Sequence, residues 1–288
     1  MPCEKPLSGY RPTNGGPVTF KRPQARTYQE IDIPCGQCIL CRLEHARQWA
    51  VRITHEAQGH EENAFITLTY NDENLPEHSS LNYRHLQLFW KRLRKKIGKF
   101  RYYAVGEYGD ENNRPHYHAC IFGHAWIEGR QILRRTPSML WTHPELEWCW
   151  GMGNVSIGAL TFESAQYTAS YVTKKLNNKR KYVRVDEETG ELIALVQPRA
   201  FMSRRKAIAL EWVEKWGYNT YAHDRVVING REQKPPKFYD RWLKKKSEIA
   251  EGMIKEKRAK EATKLTEEQT HARARNAHAH AKSKNKTL

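Results

Sequence analysis

Apolar and polar positions along the chain change period several times, and each change marks an element. From Cys38 to about Gln58, Leu40, Leu43, Trp49, Ala50 and Ile53 recur at helical spacing, with Gly59 as the stop. Ala64-Phe65-Ile66-Thr67-Leu68-Thr69-Tyr70 is β-branched and aromatic and runs into Asn71-Asp72-Glu73-Asn74, which predicts a strand and a turn. Residues 81–97 give a second helix, with Leu81, Leu86, Phe89, Leu93 and Ile97 inward and Lys91, Arg92, Arg94, Lys95 and Lys96 outward. Phe100 to Gly106 and His116 to Phe122 read as strands. The polar loop 109–113 between them predicts an antiparallel hairpin. Asn154 to Ile157 is a short strand, and Thr161 or Ser164 is the N-cap of the helix that follows. Two more hairpins are expected. One pairs Tyr182–Val185 with Leu192–Val196, and the other turns at Asn229-Gly230 after Val226-Val227-Ile228.

Three stretches show no such order. Residues 1–34 are rich in Pro, Gly and Asn and read as an irregular arm. Residues 124–151 hold Trp126, Trp141, Trp148 and Trp150 with two prolines, an insertion rather than a regular element. From Arg241 the chain becomes a solvated helix or a disordered tail, with 14 Lys/Arg against 6 Asp/Glu, a net +8. The expected organisation is therefore an arm at 1–34, a body at 35–240 and a basic tail at 241–288.

Length and charge narrow the function. A chain of 288 residues buries one substantial core in one or two domains. Its net charge of +17 implies a polyanionic partner, nucleic acid before a membrane surface, and +9 of that stays on the body when the tail is left out. No run of ~18 apolar residues occurs to span a bilayer. Met1-Pro2-Cys3-Glu4-Lys5-Pro6 lacks the apolar core of a secretion signal, so a reducing cytoplasm is expected, where disulfides are rare. The cysteines then need another account. Cys35-Gly36-Gln37-Cys38-Ile39-Leu40-Cys41 has the spacing that lets thiolates share zinc, and Cys3 can complete a tetrahedral set. Against this, no second CxxC or paired-histidine half follows, and reduced thiols packing a helix start are the competing reading. Cys120 and Cys149 read as small buried residues.

Two segments carry candidate chemistry. In Arg114-Pro115-His116-Tyr117-His118-Ala119-Cys120-Ile121-Phe122-Gly123 the imidazoles stand at i and i+2, so a strand aims both at one face. A divalent ion held there acts as Lewis acid and template on a phosphodiester. Glu107 sits where the hairpin would deliver a third ligand. A solvent-facing histidine pair is the alternative. In Tyr167-Thr168-Ala169-Ser170-Tyr171-Val172-Thr173-Lys174-Lys175 a helix lines two phenols on one side. Core packing is the commoner use of such a stripe. Lys174 and Lys175 argue for chemistry, because nearby cations favour phenolate and bind phosphate. Two nucleophiles would allow a second strand transfer while the first end stays attached.

In this order, Phe65 to Tyr70, His116-Tyr117-His118 and Tyr167-x-x-x-Tyr171-x-x-Lys174-Lys175 resemble the three motifs of HUH endonucleases that initiate rolling-circle replication, in their two-tyrosine branch. Pro34-Cys35-Gly36-Gln37-Cys38 with Cys41-Arg42, Gly106-Glu107-Tyr108-Gly109 and Arg114 to His118 look like the replication initiators of microviruses of the gokushovirus type. The resemblance covers roughly residues 34–240. It implies an α+β fold, a central antiparallel sheet flanked by helices and built like the RNA-recognition fold. It also implies Mg2+ or Mn2+ on His116, His118 and Glu107, nucleophiles at Tyr171 and Tyr167, and a phosphate-facing Lys174 or Lys175.

The function expected is a site-specific, single-strand-cutting DNA endonuclease working on the origin of a small circular genome in the cytoplasm of a bacterial host. It would form a 5′-phosphotyrosine and later rejoin ends. No phosphate-binding G-x-x-x-x-G-K-[ST] loop is present, so unwinding falls to a host helicase and extension to a host polymerase. The competing readings are a plasmid initiator or relaxase of the same chemistry, and a non-catalytic zinc-containing DNA-binding protein.

Overall fold

In a computed structural model, the structure describes residues 3–13, 16–23, 27–109, 112–175, 182–186, 189–263 and 265–284, with the backbone alone at 171–175 and 281–284. In chain order these residues form β1 (Leu7–Pro12), β2 (Tyr28–Ile33), α1 (Ile39–Ala57), β3 (Asn63–Thr69), α2 (Tyr83–Ile97), β4 (Arg101–Tyr108) and β5 (Pro115–Phe122). Next come β6 (Gln131–Arg134), β7 (Leu140–Thr142), α3 (Pro144–Trp150), β8 (Val155–Ala159) and α4 (Phe162–Lys175). Then follow β9 (Val183–Val185), β10 (Leu192–Ala194), β11 (Ala200–Met202) and α5 (Leu210–His223). The last elements are β12 (Val226–Ile228), β13 (Arg231–Gln233), α6 (Lys237–Lys246), α7 (Glu248–Lys260) and α8 (Glu267–Lys284). Seven strands make one antiparallel sheet in the order β11-β4-β5-β3-β8-β7-β6, so the α+β class expected from the motifs is the one observed.

The chain divides into two compact units, residues 46–260 and residues 1–45 with 261–288. The larger unit holds the seven-stranded sheet. Alternation in β3 sends Ala64, Ile66 and Leu68 to one face and Phe65, Thr67 and Thr69 to the other. On the first face, Leu86, Phe89 and Leu93 of α2 and Trp150 of α3 pack over Ile66, Leu68, Tyr117 and Ile121. Burying each of those α2 side chains stabilises by about 1.5–3 kcal/mol. That outweighs the few tenths per residue that separate ordinary helix propensities. Packing, more than propensity, therefore holds this Lys- and Arg-rich helix in place. On the second face, Ala50 and Ile53 of α1 and Ala165 of α4 pack against Tyr103, Val105, Cys120 and Phe122. A third cluster joins Val213 and Tyr221 of α5 to Val226, Ile228, Tyr239, Trp242 and Leu243.

Two stretches differ from their sequence reading. The tryptophan-rich stretch 124–151 carries β6, β7 and α3 and extends the sheet through Trp141↔Ile157. Its strands of three and four residues are too short to show a period. Its helix is marked only by its ends: Pro144 in the first turn, the His143 ring accepting the Glu145 N–H, and left-handed Gly151. The arm carries an antiparallel hairpin, β1 with β2, in register from Leu7↔Ile33 to Pro12↔Tyr28. Its partners lie on either side of a long loop, which local periodicity does not register. Beyond residue 240, Trp242 and Leu243 of α6 are buried, and Arg258 of α7 bonds Asp224 and Asp240 at 2.5–3.0 Å.

Candidate active site

Strand β5 places the chemistry by alternation. His116, His118, Cys120 and Phe122 face the side covered by α1 and α4, while Tyr117 points into the opposite core. The Tyr117 hydroxyl donates to the Asn82 carbonyl at 2.8 Å, accepts from the Asn82 N–H at 3.0 Å, and lies 3.0 Å from the Tyr70 hydroxyl. The middle residue of His-Tyr-His thus anchors the strand to the start of α2, leaving the outer two to act together.

Register supplies the rest. Glu107 of β4 pairs with His116, and Thr67 of β3 pairs with His118. Glu107 Oε1 lies 2.5 Å from His116 Nε2 and 3.2 Å from His118 Nε2. One ligand atom from each of the three residues falls within 4.8 Å of the others. The outer ring nitrogens are held too: His116 Nδ1 is 3.1 Å from the Arg114 carbonyl, and His118 Nδ1 is 2.9 Å from Thr67 Oγ1. A carbonyl only accepts, so His116 Nδ1 carries a proton, and Nε2 is the nitrogen left to face the carboxylate.

Two ring nitrogens this close to one carboxylate oxygen need a cation or shared protons between them. Glu107 is almost fully buried, and its Oε2 has no hydrogen-bond partner among the described residues. Burial pushes the Glu107 carboxyl up, but the hydrogen bonds and charge of His116 and His118 outweigh it and hold the group below its ordinary range. Burial pushes the His118 imidazole down, against the pull of Glu107, which favours the neutral ring a metal requires. A buried carboxylate with an orphaned oxygen beside two imidazole nitrogens fits a divalent ion.

Helix α4 brings the phenol. Thr161 caps it reciprocally with Ser164: each side-chain oxygen accepts the other's backbone N–H, at 3.2 and 2.8 Å. Of the two caps expected, Thr161 is therefore the N-cap. Ala165, Thr168 and Ala169 are buried. The half-buried Tyr167 lies edge-on to His118, ring centroids 5.3 Å apart at 71°. Tyr171, Lys174 and Lys175 continue the helix, and their side chains lie outside the described residues.

In the other unit, Cys3, Cys35, Cys38 and Cys41 bring their sulfurs within 4.8 Å of one another. Burial pushes the Cys35 thiol up, but the backbone N–H groups of Cys38 and Gln37 outweigh it and pull it down to about 7.

Two neighbours of the histidines escape a reading by motif. Thr67 bonds one ring, and Phe65 stacks on it with centroids 5.4 Å apart at 17°. Period-2 alternation assigns both to one face of β3. Only the β3–β5 register, which no local pattern encodes, puts them against His118.

A family model described as replication-associated protein ORF2/G2P matches residues 63–176, the stretch that holds the triad and Tyr167. The chain is 32% identical to replication-associated protein ORF2 of Spiroplasma virus 4, over 91% of its length and 87% of the relative. It is 31% identical to replication-associated protein VP4 of Bdellovibrio phage phiMH2K, over 85% of its length and 78% of the relative. Replication-associated protein ORF4 of Chlamydia phage 1 is 27% identical over 74% of the chain and 54% of the relative. No solved structure matches it. With this similarity along most of both chains, the protein belongs to the replication-associated proteins of gokushovirus-type phages.

Proposed function

We propose that this phage replication protein is a metal-dependent, site-specific single-strand DNA endonuclease of the HUH type, which nicks a circular replicative form at its origin and later rejoins the ends. The observation that carries the reading is the convergence of Glu107, His116 and His118 with the Tyr167 ring set against His118. Mg2+ or Mn2+ held by the three side chains would polarise the non-bridging oxygens of the scissile phosphate. The protein's own groups do the remainder. Thr67 and the Arg114 carbonyl fix the two rings so that both Nε2 atoms face inward. The phenol oxygen of Tyr171 or Tyr167 attacks phosphorus, the new O–P bond forming as the bond to the 3′ oxygen breaks. The phenol loses its proton and the departing 3′ oxygen takes one up. The 5′ end stays on tyrosine, and the free 3′-hydroxyl primes a host polymerase behind a host helicase. Lys174 and Lys175 bind the phosphate and favour phenolate. The second tyrosine then cuts the regenerated origin, and the first joint is resealed to release a circle in the bacterial cytoplasm. The net charge of +17 suits a DNA partner. The relatives are phage proteins, which favours the viral reading over a plasmid initiator or relaxase.

Nicking of a supercoiled plasmid bearing the phage origin, with Mn2+, tests this. The parent should nick, and the tryptic peptide ending at Lys174, which contains both tyrosines, should gain the mass of the attached oligonucleotide. If the double variant Tyr167→Phe/Tyr171→Phe nicks as well as the parent, the covalent mechanism is wrong.

A further inference from the structure

The smaller unit contains little that could hold it together by burial. Among its described residues the buried hydrophobic side chains are Ile39, Cys41 and Ala274. A lone two-stranded hairpin such as β1–β2 is at best marginal in water, and units with so small a core rely on a covalent or metal staple. Four of the chain's six cysteines lie where a staple is needed. Cys3 precedes β1 and Cys35 follows β2, so they flank the hairpin's open end, where Leu7 pairs with Ile33. Cys38 precedes α1 and Cys41 lies in its first turn.

The local geometry is that of a metal-binding turn. The N–H groups of Gln37 and Cys38 both donate to Cys35 Sγ at 3.3 Å, and the N–H of Cys35 donates to Cys3 Sγ at 3.3 Å. Gly36, at φ +73°, gives the turn its left-handed residue. Backbone donors aimed at sulfur stabilise thiolates, which are the ligands zinc takes. A zinc ion with four thiolates at ≈ 2.3 Å sets its sulfurs about 3.8 Å apart by tetrahedral geometry. Cys38 Sγ and Cys3 Sγ are 3.9 Å apart, and all four sulfurs lie within 4.8 Å. Two disulfides would instead draw the sulfurs into separate pairs ≈ 2.05 Å apart. An iron–sulfur cubane would hold the four further apart.

We infer that Cys3, Cys35, Cys38 and Cys41 bind one structural zinc ion, which closes the open end of the β1–β2 hairpin onto the first turn of α1. Metal affinity is then folding free energy for this part of the chain. The inference stands apart from the nicking chemistry, since it uses none of the same residues.

Metal content of the full-length chain, purified under reducing conditions without added metal, decides the question. The expected result is one zinc per chain in the parent and in His116→Ala, and none in Cys35→Ser/Cys38→Ser. The His116→Ala arm separates this zinc from any ion at the histidines. If the cysteine variant does not fold, the parent exchanged into Co2+ still answers: strong sulfur-to-cobalt charge transfer with tetrahedral d–d bands supports the site. A parent without zinc, an iron-coloured parent, or zinc lost on His116→Ala but kept in the cysteine variant overturns it.

Discussion

The ring of Tyr167 meets the ring of His118 edge-on, with centroids 5.3 Å apart at 71°. One residue is on α4 and the other on β5, so the contact joins the second turn of a helix to the middle of a strand. Buried Ala165 and Ala169 let the helix backbone lie close against the sheet, and the Thr161–Ser164 cap fixes where it starts. Tyr167 also reaches Phe65, centroids 6.5 Å apart, so its place depends on two strands at once.

Thr67 should matter to metal use although it binds none. Its hydroxyl lies 2.9 Å from His118 Nδ1 and orients the ring. Thr67→Val keeps the shape and removes the hydrogen bond. Outer partners of ligating histidines typically contribute 10–100-fold to metal affinity or activity. The Mn2+ concentration giving half-maximal nicking should therefore rise by about that factor. An unchanged Mn2+ dependence would refute this role.

Glu107→Gln removes the carboxylate charge but retains the shape. Nicking should fall by more than the roughly 100-fold upper figure for outer partners. A second readout needs no DNA. A ligand that binds only the folded state stabilises by about 2.7 kcal/mol at 100 times its Kd. Mn2+ should thus raise the Tm of the parent and leave that of Glu107→Gln unmoved. Equal shifts in both proteins would place the ion elsewhere.

How far the sequence reaches is clearest on the central strands. The alternation of β3 and the His-Tyr-His run of β5 are period-2 signals, and the loop at 109–113 is short enough to predict the antiparallel pair that forms. Glu107 is predicted beside the histidines because a hairpin's register follows from its loop. Thr67 and Phe65 are not, because β3 and β5 are 45 residues apart from the end of one to the start of the other and their register is set by tertiary packing. The β7–α3 segment is missed for another reason. Three-residue strands carry no period, and a seven-residue helix that ends in Trp148-Cys149-Trp150 is too short to show one.

His55 should give stability an acid-sensitive slope. Its ring is buried, stacked on Trp212 with centroids 3.5 Å apart, and lies 2.7 Å from the Tyr239 hydroxyl. Burial pushes its pKa from 6.5 down to about 3. Between those values the unfolded chain binds a proton that the folded chain refuses. The stabilising contribution is complete above pH 6.5 and is lost as pH falls toward 3. This one group contributes a slope of up to about 1.4 kcal/mol per pH unit. Urea melts of the parent and of His55→Phe across that range should differ by such a slope, and parallel curves would exclude His55 as the source.

Gly106 separates packing from chemistry beside the candidate ligands. A Cβ there would lie 2.9 Å from Tyr83 Cε1, 3.0 Å from Leu81 Cδ2 and 3.1 Å from Tyr117 Cε1. Tyr117 has little freedom to move, since its hydroxyl is bonded to both the N–H and the carbonyl of Asn82. Overpacking of this kind costs about 1–3 kcal/mol. At about 2–4 °C per kcal/mol for a unit of this size, Gly106→Ala should lower the Tm by several degrees. The added methyl points into the α2 core, on the side of the sheet away from His116 and His118. Nicking below the melt and its Mn2+ dependence should therefore stay close to the parent's. A variant that melts normally but has lost Mn2+-dependent nicking would show instead that Gly106 serves the site and not the core.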